Sequence, residues 1–236
     1  MAKKYVSNKD VSVRIFKSNV LEALSHVHPV VPHVLYLPVI AYVLYSASAV
    51  ASVARIGAMI ALGLLLWTVA EYFIHRFMFH ATPEVEERVR QIVGRLAPGE
   101  AALSKLTGLR QKHYFLAHGA HHDFPNDTKR LVMPPSISIP LAILFYSAFR
   151  LLLGPGDGPA LFAGFTLGYL IYDTIHYAVH HFSLRDPVLL YLKKQHYRHH
   201  YQDAERDFGV SSPLWDLVLG TMGRAKSPRE AVGPPA

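Results

Sequence analysis

Val34 to Val53 reads VLYLPVIAYVLYSASAVASV, twenty residues without a charge. A chain with such a run has few places to put it. At about 1.5 Å of rise per residue, a helix of this length crosses the roughly 30 Å hydrocarbon core of a bilayer. Ile56 to Ile74 repeats the pattern, interrupted only by Glu71 near its end. Leu131 to Phe149 is a third uncharged run, with prolines crowded at its start. Pro159 to Tyr172 is shorter and reaches spanning length only when it is extended through Asp173 to His180. A soluble helical core is the competing reading, but core helices carry a polar face and the first three runs have none.

The connections sort these runs into pairs. Runs one and two are joined by almost nothing around Arg55, and runs three and four by LGPGDGP. Both read as tight helical hairpins, with a long polar stretch from His75 to Arg130 between them and a polar tail after His180. Of 24 Lys and Arg residues, five precede Val34, nine lie from Arg76 to Arg130 and eight follow His181. Only Arg55 and Arg150 fall on the other side. The positive-inside rule then puts both termini and the long loop in the cytoplasm. The expected fold is an all-α integral membrane protein with four transmembrane helices. Residues 1–223 read as one domain and 224–236, rich in proline and charge, as an unpacked tail. No signal peptide is expected, because the first thirty residues hold no long apolar run. The net charge of +7 does not argue for nucleic acid, since the basic residues form no dense stripe.

The chain has 15 histidines and no cysteine, so disulfides and thiolate metal sites are excluded and any metal must be held by nitrogen or oxygen. Ten histidines fall at, or beyond, the proposed cytoplasmic ends of the apolar runs. They are His75 and His80; His118, His121 and His122; His176 and His180; and His196, His199 and His200. The spacing i, i+3, i+4 in HGAHH and HYRHH aims three imidazoles in nearly one direction, and His176 and His180 share a face. His75 and His80, roughly 140° apart on an ideal helix, need a bend or a bulge between them. Ten imidazoles exceed what one metal uses, and two metals with about five ligands each account for all of them. Imidazole suits iron, copper, zinc and nickel. Of the remaining five, His26, His28, His33 and His113 read as packing or headgroup contacts, and His181 is ambiguous. Asp173, three residues before His176, and Glu71, one turn before His75, are placed to accept the second N–H of a ligand imidazole. Asp123 and Asp203 read as loop residues.

The order HxxxxH, HxxHH, HxxxHH, HxxHH resembles the fatty acid hydroxylase/sterol desaturase superfamily of membrane di-metal oxygenases. EYFIHRFMFH, HGAHHDFPNDTKRLVMPP, GYLIYDTIHYAVHHF and YLKKQHYRHHYQDAERDFGVSSPLWD look like fatty acid 2-hydroxylases acting on sphingolipid acyl chains. The similarity runs from about Leu21 to Met222. It implies two iron ions held by the ten histidines, with zinc as a substitute, and O₂ as cosubstrate for hydroxylation at carbon 2. It also implies a helical cytosolic cap over the four-helix stalk. Tyr169, Tyr172 and Asp173 match the family's substrate-side motif and are the catalytic candidates. Yeast and animal members carry a cytochrome b5 domain, and none is expected here, because no HPGG haem motif appears. The implied electron source is therefore a separate donor such as cytochrome b5 or a ferredoxin with its reductase. The substrate would be a membrane lipid or fatty acyl group, in the cytoplasmic membrane or endoplasmic reticulum.

A desaturase or sterol oxidase on the same histidine framework remains the nearest alternative, since histidine spacing does not separate the two outcomes. A bis-histidine haem protein would place single paired histidines inside the spans, and a transporter would place polar ligands at the midplane. Neither pattern is present. No phosphate-binding glycine loop or serine triad appears.

Overall fold

The computed structural model describes residues 5–80 and 114–224, with Gln91, Gly108 and Lys112 as isolated positions between. Among these residues every regular element is helical. Helix α1 (Asn19–Ser25) is short and starts on Ser18, whose hydroxyl accepts from the Leu21 N–H. Helix α2 (Val31–Ser48) carries Pro32 in its first turn, where a proline suits because it has no N–H to leave unpaired. Four residues later α3 (Val53–Phe73) starts on Ser52, which accepts from the Arg55 N–H. The helix then widens into a π-helical turn, Ile74–Phe79. A second π-turn, Phe115–Gly119, leads into α4 (Ala120–Asp123). The long α5 (Pro135–His181), α6 (Pro187–Tyr201) and the short α7 (Leu214–Val218) complete the set.

Among the described residues three helical stretches are long and apolar enough to cross a membrane: Val31–Ser48, Val53–Phe79 and Pro135–His181. The third is not straight. Gly154 adopts φ +82°, in the left-handed region that glycine enters without a Cβ clash, and the chain folds back there. Phe145 meets Phe165 at 4.8 Å between ring centroids and Tyr146 meets Phe162 at 5.3 Å. Residues sixteen or more apart in one straight helix cannot touch, since the rise alone would separate them by over ~20 Å. The LGPGDGP reversal expected from sequence is therefore a single-residue break between two antiparallel limbs.

Small residues let these limbs reach α3. A Cβ on Gly164 would strike the Ile60 backbone, and one on Gly63 would strike the backbone of Leu161 and Phe165. Glycines at helix contacts allow backbone approach where lipid supplies no hydrophobic drive between helices. The core between α2, α3 and α5 is aromatic and aliphatic, centred on Tyr36, Ile40, Trp67, Phe162, Phe165 and Tyr169. Outward faces are apolar too: Val53 and Leu151 are each 86% exposed, and Tyr45 78%. At the Gly154 end, Arg55 donates through Nε and Nη2 to the two carboxylate oxygens of Asp157 (2.7 and 2.6 Å).

At the opposite end the N-terminal segment straps residues 123–130. Val6 and Ser7 donate to the Asp123 carbonyl, Asp10 accepts from the Thr128 N–H and hydroxyl, and Arg130 reaches Glu22 and Asp127. Asp203 behaves as the loop residue expected, accepting from the Glu205 N–H, whereas Asp123, also expected in a loop, is the last residue of α4.

Candidate metal centre

All ten singled-out histidines arrive in one place, and none is more than 7% exposed. They form two pockets. His75, His80, His118, His122 and His199 make pocket one, and His121, His176, His180, His196 and His200 make pocket two; in each, the candidate ligand atoms lie within 4.8 Å of one another. The pockets are adjacent, the His122 and His200 rings stacking at 4.3 Å.

Each HxxHH cluster divides between the pockets instead of facing one of them. His118 and His122 enter pocket one while His121 enters pocket two; His196 and His200 enter pocket two while His199 enters pocket one. Neighbouring helical residues diverge by about 100°, so the i+3 and i+4 members of a cluster cannot share a target at this range. The i, i+4 pair stays together and the i+3 member crosses over. His75 and His80 meet through the π-turn: the His80 N–H donates to the His75 carbonyl at 3.0 Å, an i→i+5 bond. Their rings lie 5.0 Å apart. That is the bulge the five-residue spacing required.

The donor set fits a cation. His75 Nδ1 donates to the Phe208 carbonyl (2.5 Å) and His199 Nδ1 to the Arg206 carbonyl (2.7 Å). A carbonyl only accepts, so both rings hold their proton on Nδ1 and turn an Nε2 lone pair inward. There His75 Nε2 faces His118 Nε2 at 3.1 Å, and His199 Nε2 faces His80 Nε2 at 3.0 Å. Pocket two repeats the convergence, with His176 facing His121 at 2.9 Å and His180 facing His196 at 2.8 Å. Burial drives His118, His121, His196 and His200 well below the ordinary imidazole range, and the neighbouring imidazoles push the same way. Burial brings His199 down to about 4, against the Arg206 carbonyl, which favours its charged form. Neutral imidazole is the ligand form of the side chain.

The carboxylates are arranged differently from the sequence expectation. Glu71 accepts from the Val210 and Ser211 N–H groups (2.6 and 2.7 Å) and from the Ser211 hydroxyl, not from His75. Asp173 makes no bond to His176 either. His176 Nδ1 and Asp173 Oδ2 are both buried without a hydrogen-bond partner among the described residues, because the His176 ring is turned to aim Nε2 at His121. Tyr172 lies 5.4 Å from the His176 ring and 5.8 Å from Trp67. Tyr169, one turn earlier, lines an apolar cavity with Tyr36, Trp67, Ile74, Phe145, Phe162 and Phe165. Sequence reasoning missed Arg206, Phe208, Asp207 and Asp216, which lie inside the quoted string YQDAERDFGVSSPLWD but carry no ligand-like spacing.

Four of the five remaining histidines stay out of the pockets. His26 lies beside Ser12 and Glu22, His28 accepts from the Val30 N–H, and His33 bonds Thr174. His181 stacks on Tyr177. His113 is outside the described residues.

Residues 60–221, which contain all ten pocket histidines, match the fatty acid hydroxylase family model. The chain belongs to the fatty acid hydroxylase family. Among family relatives, it is 34% identical to the dihydroceramide fatty acyl 2-hydroxylase FAH2 of Arabidopsis thaliana, over 91% of this chain and 81% of that protein. It is 35% identical to FAH1 of the same plant, over 92% and 83%. The solved structure of full-length Scs7p, in which only the hydroxylase domain is visible, superposes with a TM-score of 0.72 at 34% identity. That match covers 89% of this chain and 72% of that one.

Proposed function

We propose that this chain is a di-iron monooxygenase that hydroxylates carbon 2 of long acyl chains, in sphingolipids or their ceramide precursors. The observation that carries the reading is the pair of five-imidazole pockets together with an apolar cavity among membrane-length helices, lined in part by Ile74, the residue before His75. The names of its relatives point to the same substrate class.

In this reading the ten histidines hold two iron ions, five to each. Iron supplies the oxidising power, drawing on O₂ and two electrons and two protons to turn C–H into C–OH and release water. The protein's work is placement. The cavity between α2, α3 and α5 takes the acyl chain from the leaflet and keeps water from it. Ile74, which lines the cavity, precedes His75 of pocket one in the chain. Tyr36 Oη, Tyr169 Oη and Trp67 Nε1 are buried without partners among the described residues and are placed to donate to the acyl carbonyl, which fixes carbon 2 relative to the pockets. Tyr172, against the His176 ring, and Asp173 border the reacting carbon.

The membrane arrangement follows from the same reading. The two limbs of α5 count as separate spans, giving four with α2 and α3. The strapped, histidine-bearing end forms a helical cap on the cytoplasmic side, where the positive charge collects. Residues 1–223 act as one domain, and a separate protein delivers the electrons.

The test is lipid analysis of cells expressing the native chain or His199→Ala, with acyl chains hydrolysed and products located by mass spectrometry. New 2-hydroxy acids from the native chain alone are expected. New double bonds instead would move the protein to the desaturases.

A further inference from the structure

Between α6 and α7 runs a loop, residues 206–211, whose backbone forms one wall of pocket one. Its Arg206 and Phe208 carbonyls take the Nδ1 protons of His199 and His75. A carbonyl can fix a ring only if its own peptide is fixed, and this loop has no regular structure to do that. The Arg206 peptide is held by its Asp207 N–H on the Thr221 carbonyl (3.0 Å), and buried carboxylates hold the rest. Glu71, 5% exposed, takes the Val210 and Ser211 N–H groups and the Ser211 hydroxyl. Asp216, fully buried, takes the Phe208 and Gly209 N–H groups (2.9 and 2.7 Å) and the Thr221 hydroxyl. Asp207, in the left-handed region at φ 58°, pairs with Arg198 and takes the Gly223 N–H. Gly209 is needed for the approach, since a Cβ there would strike the Ser212 carbonyl and come within 3.0 Å of Asp216 Oδ2.

Pocket two has no such wall. Nδ1 of His176, His180, His196 and His200 finds no partner among the described residues.

We infer that Glu71 and Asp216 are positioning residues of pocket one: by clamping the 208–211 backbone they hold the Phe208 carbonyl on His75, and so set the metal affinity of pocket one without setting that of pocket two. The inference rests on the reading of the ten histidines as ligands. Neither carboxylate belongs to a pocket itself. Each acts through two peptide groups and a ring. Loss of such an outer partner lowers metal affinity about ten- to a hundredfold.

The experiment loads the full chain, in lipid nanodiscs, with ⁵⁷Fe. Bound iron is then measured by elemental analysis and Mössbauer spectroscopy after equilibration with a chelator that leaves the native chain both ions. Glu71→Ala is expected to keep about one iron, with the pocket-two signal unchanged. Glu71→Gln, whose side-chain carbonyl can still accept from Val210 and Ser211, is expected to restore the second iron. Equal loss from both pockets, or full iron with a native spectrum in Glu71→Ala, would overturn the inference, as would a Gln variant as defective as the Ala one. If Glu71→Ala does not yield a monodisperse protein, Ser211→Ala, which removes only one of the three bonds, carries the test. It is expected to weaken pocket one alone by up to tenfold, and equal weakening of both pockets or none would again overturn it. A native chain that binds no iron would sink the ligand reading itself, a result distinguishable from the others.

Discussion

Pocket two is built almost wholly on regular helix, and pocket one is not. Four of the five pocket-two histidines are i, i+4 pairs, His176 and His180 on α5 and His196 and His200 on α6. Helical backbone fixes where such pairs point. Pocket one takes His75 and His118 from π-turns and His80 from just beyond the first of them. There two rings carry a further bond each, His75 on the π-turn to the Phe208 carbonyl 133 residues away and the helical His199 to the Arg206 carbonyl seven residues on. Helical pairing suffices for most of pocket two, whereas pocket one adds an outer layer of ring hydrogen bonds, and for its irregular member that layer comes from a distant part of the chain.

The comparison breaks most sharply if one pocket proves dispensable. On the proposed di-iron reading, His199→Ala and His176→Ala, each removing one imidazole from one pocket, are both expected to abolish 2-hydroxy acid formation in the lipid assay. His199→Ala should lose the pocket-one iron and His176→Ala the pocket-two iron. Product from either variant would mean that a single pocket suffices.

Acid should distinguish the pockets less completely. Burial lowers His199 from its ordinary value to about 4, opposed by the Arg206 carbonyl. Between about pH 6.5 and 4 the unfolded chain therefore binds a proton that the folded chain refuses. The stability of the metal-free protein is full above pH 6.5 and falls as pH drops through that window, by roughly 3 kcal/mol at pH 4 from His199 alone. His196 and His200, whose Nδ1 finds no partner among the described residues, are also lowered by burial and add to the loss in the same direction. Thermal melts of iron-free protein at pH 7.5, 6 and 5 should show a falling midpoint. A flat profile would mean that the pockets open to water without iron.

Much of this was legible in the sequence, and the limit has a physical form. Uncharged runs of bilayer length and histidines at i, i+4 are local signals, and α2, α3, α5 and the ten-histidine gathering follow from them. The division of each HxxHH cluster needed only the 100° step between neighbours, which a one-face reading of i, i+3, i+4 overlooks. The role of Glu71 was not accessible. Its spacing from His75 suggests a direct bond, while its actual partners are backbone amides 139 and 140 residues away, and amides carry no residue-type signal. Phe208 and Arg206 act through their carbonyls, so no motif built on side chains could have found them.

A chelator competition ranks the pockets directly. The outer bonds of pocket one fix the ligand tautomer and raise ligand basicity, so pocket two is expected to release its iron first, with an affinity about tenfold lower. The reverse order, read from Mössbauer signals along a chelator titration, would show that helical rigidity outweighs ring hydrogen bonds.

The smallest effect belongs at the far end of the molecule. Arg55 joins α3 to the Gly154 bend through Asp157, but its side chain is 65% exposed, and exposed pairs contribute little. Nothing in that contact touches α6, the 206–211 loop or either pocket. Arg55→Ala should leave iron content and the Mössbauer spectrum of both pockets native and lower the melting midpoint only slightly. If the variant instead loses iron from one pocket, the helical limbs transmit strain from the bend to the histidines, and pocket two, which hangs on the end of α5, is the one that should feel it.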